Sequence, residues 1–168
     1  MLKHIRLAPF ILVGFGLAGA GLAGVGVATT IAGQTPAPSL PATYLTNAEL
    51  TTALKKATEG NADMSTAAVK NTDQYRINIV RRGKAAGAIA HKPGTEVHHI
   101  IDGAGTLVTG GTIVRPAGGG MATIQGGESR HVGKGDVILI PENTPHWYKD
   151  VEGSITYLEV RFNVPVKP

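Results

Sequence analysis

The chain has 168 residues, of which 42% are hydrophobic, so it is long enough for one globular domain with a buried core but not for two. Its formal net charge is +4, yet two of the bases lie in an N-terminal segment without acids, and the 14 bases against 12 acids that remain do not indicate nucleic-acid binding. There is no cysteine, which excludes disulfides and thiolate metal sites and leaves histidine and carboxylate as the strong metal ligands.

Residues 1–33 are typical of an export signal. They begin with a short cationic stretch that contains Lys3 and Arg6, and they continue without charge from Leu7 to about Ala32. The alternative is an uncleaved membrane anchor, since about 20 apolar residues suffice to cross a bilayer. Frequent glycine lowers the helix propensity and favours cleavage. In either case we expect the rest of the chain to lie outside the cytoplasm, either in a bacterial periplasm or secreted.

A proline-rich linker is predicted for residues 34–43 and an N-terminal helical extension for residues 44–74. Within the extension, Thr46 and Glu49 have the spacing of a capping box, in which each side chain accepts a hydrogen bond from the other residue's backbone. This signature predicts one short helix over about residues 46–57.

Residues 75–168 are predicted to form a β-barrel domain. The segments QYRINIVRR and SITYLEVRF alternate between polar and apolar residues, the segment DVILIP is continuously apolar, and turn signals with glycine recur about every ten residues. No segment between those signals is long enough for another helix. Many short strands at this spacing indicate an all-β sandwich or a small barrel.

Polar side chains gather at the start of one predicted strand, in the segment HKPGTEVHHIIDGAG. Alternate side chains of a strand share a face, so Glu96 and His98 point one way and Val97 and His99 the other. We expect Glu96 and His98 to point inwards, and His99 to be a packing or subunit-contact residue.

Two further histidines are predicted to meet these side chains. His91 precedes a turn at Pro93–Gly94, and a hairpin at that turn would lay its strand beside the one that starts at Glu96. His146 follows a buried strand and a turn, at the point where the chain would re-enter the sheet. The sequence therefore predicts imidazoles gathered around one carboxylate.

These two windows resemble the paired motifs of the cupin superfamily, and the resemblance covers about residues 75–163. The spacing of the first motif is matched by Gly83, Ile89, His91, Glu96 and Gly103. The spacing of the second motif is matched by Gly135, Pro141, Asn143, His146 and Asp150.

The resemblance implies a double-stranded β-helix, or jelly-roll barrel, in which one divalent metal ion such as iron, manganese, nickel or zinc is bound by His91, Glu96 and His146. Ile89 stands where the family has its first histidine, so one of four customary ligands is missing. Asn143 replaces a glycine, which is a mild change because asparagine also tolerates left-handed turns. The alternative for the three ligand residues is a hydrogen-bonded polar cluster without an ion.

His98 has three interpretations. It lies on the ligand face and is a candidate to replace the missing ligand. An imidazole also gains and loses a proton easily near neutral pH, so His98 is the candidate catalytic residue facing a bound substrate. The third interpretation is a core histidine with a hydrogen bond to a neighbouring strand.

The sequence also gives expectations for the remaining polar and aromatic residues. His131 precedes a turn and is expected to be exposed. Trp147 or Tyr148 is expected to border the cavity mouth, because both follow His146. Arg161 shares its strand parity with Tyr157, and an outward ion pair is favoured over an inward arginine that binds a substrate carboxylate.

The function indicated by these features and by the resemblance is that of an exported, metal-binding, single-domain cupin acting on a small organic molecule, by dioxygenase-type or isomerase- or lyase-type chemistry. One alternative is a non-catalytic module of the cell envelope that binds a small ligand or a metal, and another is a structural barrel with an empty polar cluster. We expect no nucleic-acid partner and no membrane contact beyond the N-terminal segment. A homodimer through the outward-facing residues Val97 and Ile101 is also expected.

Overall fold

A computed structural model describes residues 41–60 and 62–163 of the chain. The export signal or anchor predicted for residues 1–33, and most of the linker predicted for residues 34–43, lie outside the described residues. Within the described ranges, no helix is long and apolar enough to cross a membrane. The division of the chain into an extension and a barrel domain stays a prediction.

One helix and eight strands make up the described part of the chain. In chain order they are α1 (Asn47–Thr58), β1 (Met64–Asn71), β2 (Tyr75–Arg82), β3 (Thr95–Thr109), β4 (Thr112–Val114), β5 (Thr123–Gln125), β6 (Glu128–Gly133), β7 (Val137–Ile140) and β8 (His146–Phe162).

The predicted short helix is confirmed as α1. The side chain of Thr46 accepts a hydrogen bond from the backbone N–H of Glu49 at 3.2 Å, and Glu49 accepts one from the backbone N–H of Thr46 at 2.8 Å. Ala53 and Ala57 on α1 are buried in a cluster with Ile79 of β2. Because the side chains of α1 are small there, the helix packs closely on one face of the sheet, which we call the outer face.

The structure adds a strand to the range 44–74, for which only a helix is predicted. β1 lies in this range and pairs antiparallel with β2. Its sequence, MSTAAVKN, is poor in the β-branched and aromatic residues that favour strands. It is also an edge strand in which Ala67 alone is buried, so no apolar alternation marks it.

The predicted all-β architecture is confirmed. Six strands form one antiparallel sheet in the order β1-β2-β8-β3-β6, with β7 also paired to β3, while β4 and β5 form a separate hairpin. β3 and β8 pair with each other along nearly their whole lengths. The first half of β3 also pairs with β7, and its second half pairs with β6.

β3 and β8 bend so that their two halves face each other across the core. Tyr148 and Tyr157 lie nine residues apart in β8, a separation of about 30 Å in a straight strand. Their ring centroids are nevertheless only 5.3 Å apart. The bend brings the two strands so close that a Cβ at Gly103, where φ is +78°, would lie 1.9 Å from the carbonyl oxygen of Ser154. A glycine is therefore required at this corner.

The face of the sheet opposite α1, the inner face, carries both the main core and a polar site. The core cluster consists of Val80, Ile100, Leu107, Val132, Tyr148, Ile155 and Tyr157. In the register of β3 and β8, Ile100 lies opposite Tyr157, His98 opposite Glu159, and Glu96 opposite Arg161. Since opposite residues share a face, the polar pairs continue the inner face beyond one end of the core.

Candidate metal centre

His91 reaches the site by a different route from the predicted hairpin with β3. Ile89 instead exchanges two backbone hydrogen bonds with His146, at 3.0 and 2.8 Å, and the carbonyl of His91 accepts one from Asn143 at 2.8 Å. These bonds satisfy the backbone of the segment, so it runs beside the start of β8. Asn143 adopts a left-handed conformation, with φ of 62°, as expected for the residue that replaces a glycine.

Glu96 lies at the centre of the site and is 1% exposed. Its Oε1 atom is 3.3 Å from Nε2 of His91, and its Oε2 atom is 3.4 Å from Nε2 of His146. The ligand atoms of these three residues all lie within 4.8 Å of one another, which is close enough for one ion. The structure thus brings together the three residues that the resemblance implies as ligands.

The imidazole of His146 presents a lone pair to Glu96. Its Nδ1 atom lies 3.0 Å from the carbonyl oxygen of Thr144, which can only accept, so the proton is on Nδ1. Burial lowers the pKa of His146 and favours the neutral ring, which leaves Nε2 without a proton. Nε2 and the carboxylate Oε2 therefore face each other as two acceptors, and a cation between them would satisfy both.

Arg161 points inwards, which corrects the expectation of an outward ion pair. Its Nε atom lies 2.6 Å from Oε1 of Glu96, and its Nη2 donates a hydrogen bond to Nε2 of His91 at 2.9 Å. Nη2 is also 3.6 Å from Oε2 of Glu159, so one guanidinium serves two buried carboxylates that require a counter-charge. The contact between Nε and Oε1 lacks hydrogen-bond alignment, and in the described part of the chain neither buried atom has an aligned partner.

The electrostatics favour an ionised carboxylate among neutral imidazoles. Burial raises the pKa of Glu96, but the hydrogen bond from His98 and the electrostatic effects of His146, Arg161 and His91 outweigh it and lower the pKa to about 2. Burial lowers the pKa of His91 as well. These are the protonation states in which carboxylate and imidazole bind metals.

His98 is held at both ring nitrogens and is 1% exposed. Nε2 lies 3.2 Å from Oε2 of Glu96 and, because a carboxylate only accepts, Nε2 is the donor. Nδ1 then accepts from the hydroxyl of Tyr148 at 3.1 Å, a phenol whose pKa is raised by burial. The ring also stacks on Tyr157, with centroids 4.4 Å apart. The contacts favour a role for His98 in orienting Glu96.

The ligand atom of His98 groups with Glu96 and Glu159, and not with His91 and His146. His98 is therefore not placed as a fourth ligand around the same point. Its assignments as a metal ligand and as a catalytic residue stay predictions.

Glu159 and Asn78 belong to the site although neither is predicted from the sequence. Oε1 of Glu159 accepts a hydrogen bond from Nδ2 of Asn78 at 3.0 Å, and both residues are buried. The strand parity of Glu159, which is that of Tyr157 and Arg161, is the signal that identifies it as inward-facing. A charged side chain would by itself be expected in solvent. The burial of Glu159 is explained by the counter-charge of Arg161, which the sequence does not reveal.

The other predicted residues lie away from the ligand atoms. His131 is exposed, as expected, and lies 2.9 Å from Oε1 of Glu152. His99 is exposed on the outer face, where it lines a groove beside α1. Tyr148 does not border the mouth, because its parity with His146 directs it into the core beneath His98. Trp147 has the opposite parity and is half-buried.

No protein-family model matches the chain, and no curated protein sequence is similar to it. Among solved structures, a protein from Bacillus halodurans is 16% identical with a TM-score of 0.50, over 76% of this chain and 86% of that one. A predicted oxalate decarboxylase from Thermotoga maritima is 15% identical with a TM-score of 0.47, over 60% and 81%. Iron(II) HppE is 14% identical with a TM-score of 0.49, over 60% and 51%. At these identities the likeness shows the fold alone, a cupin-like β-barrel.

Proposed function

We propose that the chain binds one divalent metal ion through His91, Glu96 and His146 and acts there on a small organic molecule. The observation that supports this most strongly is the pair of acceptors at Nε2 of His146 and Oε2 of Glu96, 3.4 Å apart. Neutral imidazole and carboxylate groups are the donors that iron, manganese, nickel and zinc bind, and three of them leave coordination positions open. A metal in such a site supplies Lewis acidity or activates dioxygen.

The residues around the centre prepare it for this role. His98 and Tyr148 form a relay of hydrogen bonds that ends on Oε2 of Glu96 and fixes the orientation of the carboxylate. Arg82 extends this support, since its Nε donates to the hydroxyl of Tyr157 at 3.0 Å and its guanidinium lies over the ring of Tyr148. The buried cluster around these rings keeps water away from the inner side of the site.

Metal analysis tests this proposal. The full-length protein is purified without added ions, incubated separately with iron(II), manganese, nickel and zinc, and freed of excess metal by gel filtration. We expect close to one equivalent of at least one of these metals per chain. Less than about a tenth of an equivalent with all four corresponds to negligible affinity and would refute a metalloprotein.

A non-catalytic module that binds a small ligand or a metal is the second candidate function. Two observations favour it: Ile89 takes the place of a ligand, and the guanidinium of Arg161 already neutralises Glu96. Oxygen consumption and product formation with a panel of hydroxy acids, diols and phenols separate the two candidates. A metal-loaded protein that binds members of the panel without converting them is the binding module.

The proposed location is outside the cytoplasm, in the periplasm or secreted, and it rests on the signal-like sequence of residues 1–33. Expression in a bacterium followed by cell fractionation and N-terminal sequencing tests it. A mature N-terminus near residue 33 supports cleavage, whereas an intact N-terminus in the membrane fraction supports the anchor. Full-length protein in the cytoplasmic fraction would refute export.

A homodimer is proposed through the outer face near β7. Val137 and Leu139 are 66% and 62% exposed, and Val97 lies beside Leu139 in the register of β3 and β7. The predicted contribution of Ile101 is corrected, because this residue packs in the cluster covered by α1 of the same chain. Light scattering should give a dimer for the natural protein and a monomer for Leu139→Glu. A natural protein that is monomeric at high concentration would contradict the proposal.

A further inference from the structure

A cavity of about 280 Å³ lies next to the candidate metal centre, between the turn that joins β1 to β2 and the end of β8. Its lining includes Arg76, Arg161, Asp73, Tyr75 and Asn163. A water molecule takes about 30 Å³, so the cavity has room for about nine waters or for a compact molecule of a few carbons. Its size argues against an oligosaccharide or a peptide as the occupant.

Two arginines face each other in this cavity. Arg76 on β2 and Arg161 on β8 are direct partners in the register of the two strands, so their side chains leave the same face at adjacent positions. Like charges directly opposite each other destabilise a sheet. Within residues 41–60 and 62–163, Arg76 has no ion-pair partner, and Asp73 is the one acid among the lining residues. The charge of Arg161 is shared with Glu96 and Glu159, so Arg76 is the cation of this lining that no ion pair within the described residues matches.

We propose that this cavity binds the carboxylate of a small organic acid between Arg76 and Arg161. This inference rests on the proposed function and extends it by naming the class of molecule that the metal centre acts on. The planar fork of the Arg76 guanidinium matches a carboxylate in two parallel hydrogen bonds. Arg161 can add a hydrogen bond through Nη1, because its Nε and Nη2 already contact Glu96, His91 and Glu159. An acid anchored there lies beside the centre, because Nε of Arg161 is 2.6 Å from Oε1 of Glu96.

Calorimetric titration of the full-length, metal-loaded protein tests the inference, with malonate as the probe and malonamide as its uncharged analogue. All titrations are made at constant ionic strength, so that general screening of the arginines is the same for both probes. We expect malonate to bind and malonamide not to bind. Arg76→Gln should weaken malonate binding by about tenfold or more, which corresponds to the loss of one charge-assisted hydrogen-bonded contact. Arg161→Gln should weaken it as well.

The control is Arg115→Gln, which removes the same charge from an exposed loop far along the chain and should leave malonate binding unchanged. Because Arg76 is exposed and lies outside both hydrophobic clusters, Arg76→Gln should fold even if Arg161→Gln does not. Equal effects of Arg76→Gln and Arg115→Gln would overturn the inference. So would equal binding of malonate and malonamide, or sulfate binding as tightly as malonate, because a carboxylate site should prefer the planar group.

Metal content measured on the same samples separates this inference from the proposed function. Arg76 contacts none of the three candidate ligands among the side-chain contacts of the described residues, so Arg76→Gln should keep its metal. Malonate binding that is absent from a protein with one equivalent of metal refutes the acid site alone. A protein without metal that still binds malonate through Arg76 refutes the metal centre alone.

Discussion

Arg161 and Glu96 are direct partners across β8 and β3, and their side chains meet at 2.6 Å without the alignment of a hydrogen bond. The guanidinium thus supplies positive charge to a carboxylate that is almost fully buried. It also occupies Nε2 of His91, the atom that the imidazole would offer to a metal. Arg161 and a metal ion are therefore competitors for the same two side chains.

This competition predicts opposite effects of Arg161→Gln on the two forms of the protein. The metal-free variant should be less stable by about 3 kcal/mol, because a buried carboxylate loses its partner. Metal affinity should rise by about tenfold or more, since a nearby positive charge is removed and His91 is freed. Urea unfolding and competitive chelator titration measure the two effects, with Arg115→Gln as the control. A fall in metal affinity with Arg161→Gln would contradict the competition.

Substitution of the candidate ligands should separate His146 from the exposed His131. His146→Ala removes one of three metal donors, and we expect metal affinity to fall by about 100-fold or more, beyond what the loss of a supporting residue causes. His131→Ala should leave the affinity unchanged, because its close side-chain partner among the described residues is Glu152 at the surface. Circular dichroism confirms that both variants fold. Natural affinity in a folded His146→Ala protein would remove His146 from the centre.

The local physics of the chain predicts much of this site. The capping box around Thr46 and the alternation of Glu96 and His98 with Val97 follow from short-range rules that tertiary packing does not override. The convergence of His91 and His146 on Glu96 agrees with what the family resemblance implies, although His91 arrives there without the predicted hairpin.

The predictions that the structure corrects have one physical cause, which is that pairing between distant segments decides the environment of a residue. The segment of His91 pairs with the start of β8 rather than with β3, and Arg161 turns inwards because Glu96 and Glu159 are both buried near it. No periodicity along the chain reports a counter-charge that comes from another strand. The sequence does not predict β1 either, because its single buried residue leaves no alternation of apolar and polar residues.

His98 should behave as a residue that positions Glu96. His98→Ala removes a stacked ring and a hydrogen bond, so we expect a loss of about 2 to 4 kcal/mol in stability and a fall of about tenfold in metal affinity. Tyr148→Phe, which keeps the ring and removes the donor to Nδ1, should reproduce a smaller part of both effects. Chelator titration and urea unfolding provide the measurements.

Two other outcomes would reassign His98. A loss of affinity as large as that of His146→Ala would make it a metal ligand. Full metal occupancy together with loss of turnover would make it the proton carrier.

Gly103 should be far less tolerant of substitution than Gly153, although both have a positive φ, of 78° and 71°. A Cβ at Gly103 would lie 1.9 Å from the carbonyl oxygen of Ser154, whereas a Cβ at Gly153 would meet no atom of the described residues within 4 Å. Gly153→Ala should cost about 1 kcal/mol for the left-handed backbone. Gly103→Ala should cost several times more or prevent folding, because β3 and β8 must separate at their bend. Similar unfolding midpoints for the two variants would show that the strands are not in close contact there.

The stability of the metal-free protein should fall as the pH falls below about 6.5. Burial lowers the pKa of His91 and of His146, so in this range the unfolded chain binds more protons than the folded one, and the free energy of unfolding decreases with decreasing pH. Glu96 affects the stability at lower pH. Its pKa is lowered from 4.5 to about 2, so the stabilisation that it contributes is complete above pH 4.5 and is lost as the pH falls from 4.5 to 2. Each group contributes a slope of at most about 1.4 kcal/mol per pH unit.

Urea unfolding of chelator-treated protein at several pH values between 8 and 5 measures the part of this dependence that the histidines cause. His91→Gln and His146→Gln should each flatten the curve between about pH 6.5 and 5, since a glutamine has no proton to gain. His131→Gln is the matched control and should leave the slope as it is, because its ring is exposed at the surface and lies outside the site. A metal-free protein that becomes more stable on acidification from pH 7 to 5 would show that the two rings are already charged in the fold. The lone pair that His146 presents to Glu96 would then be a proton, and the strongest argument for a metal at this centre would be lost.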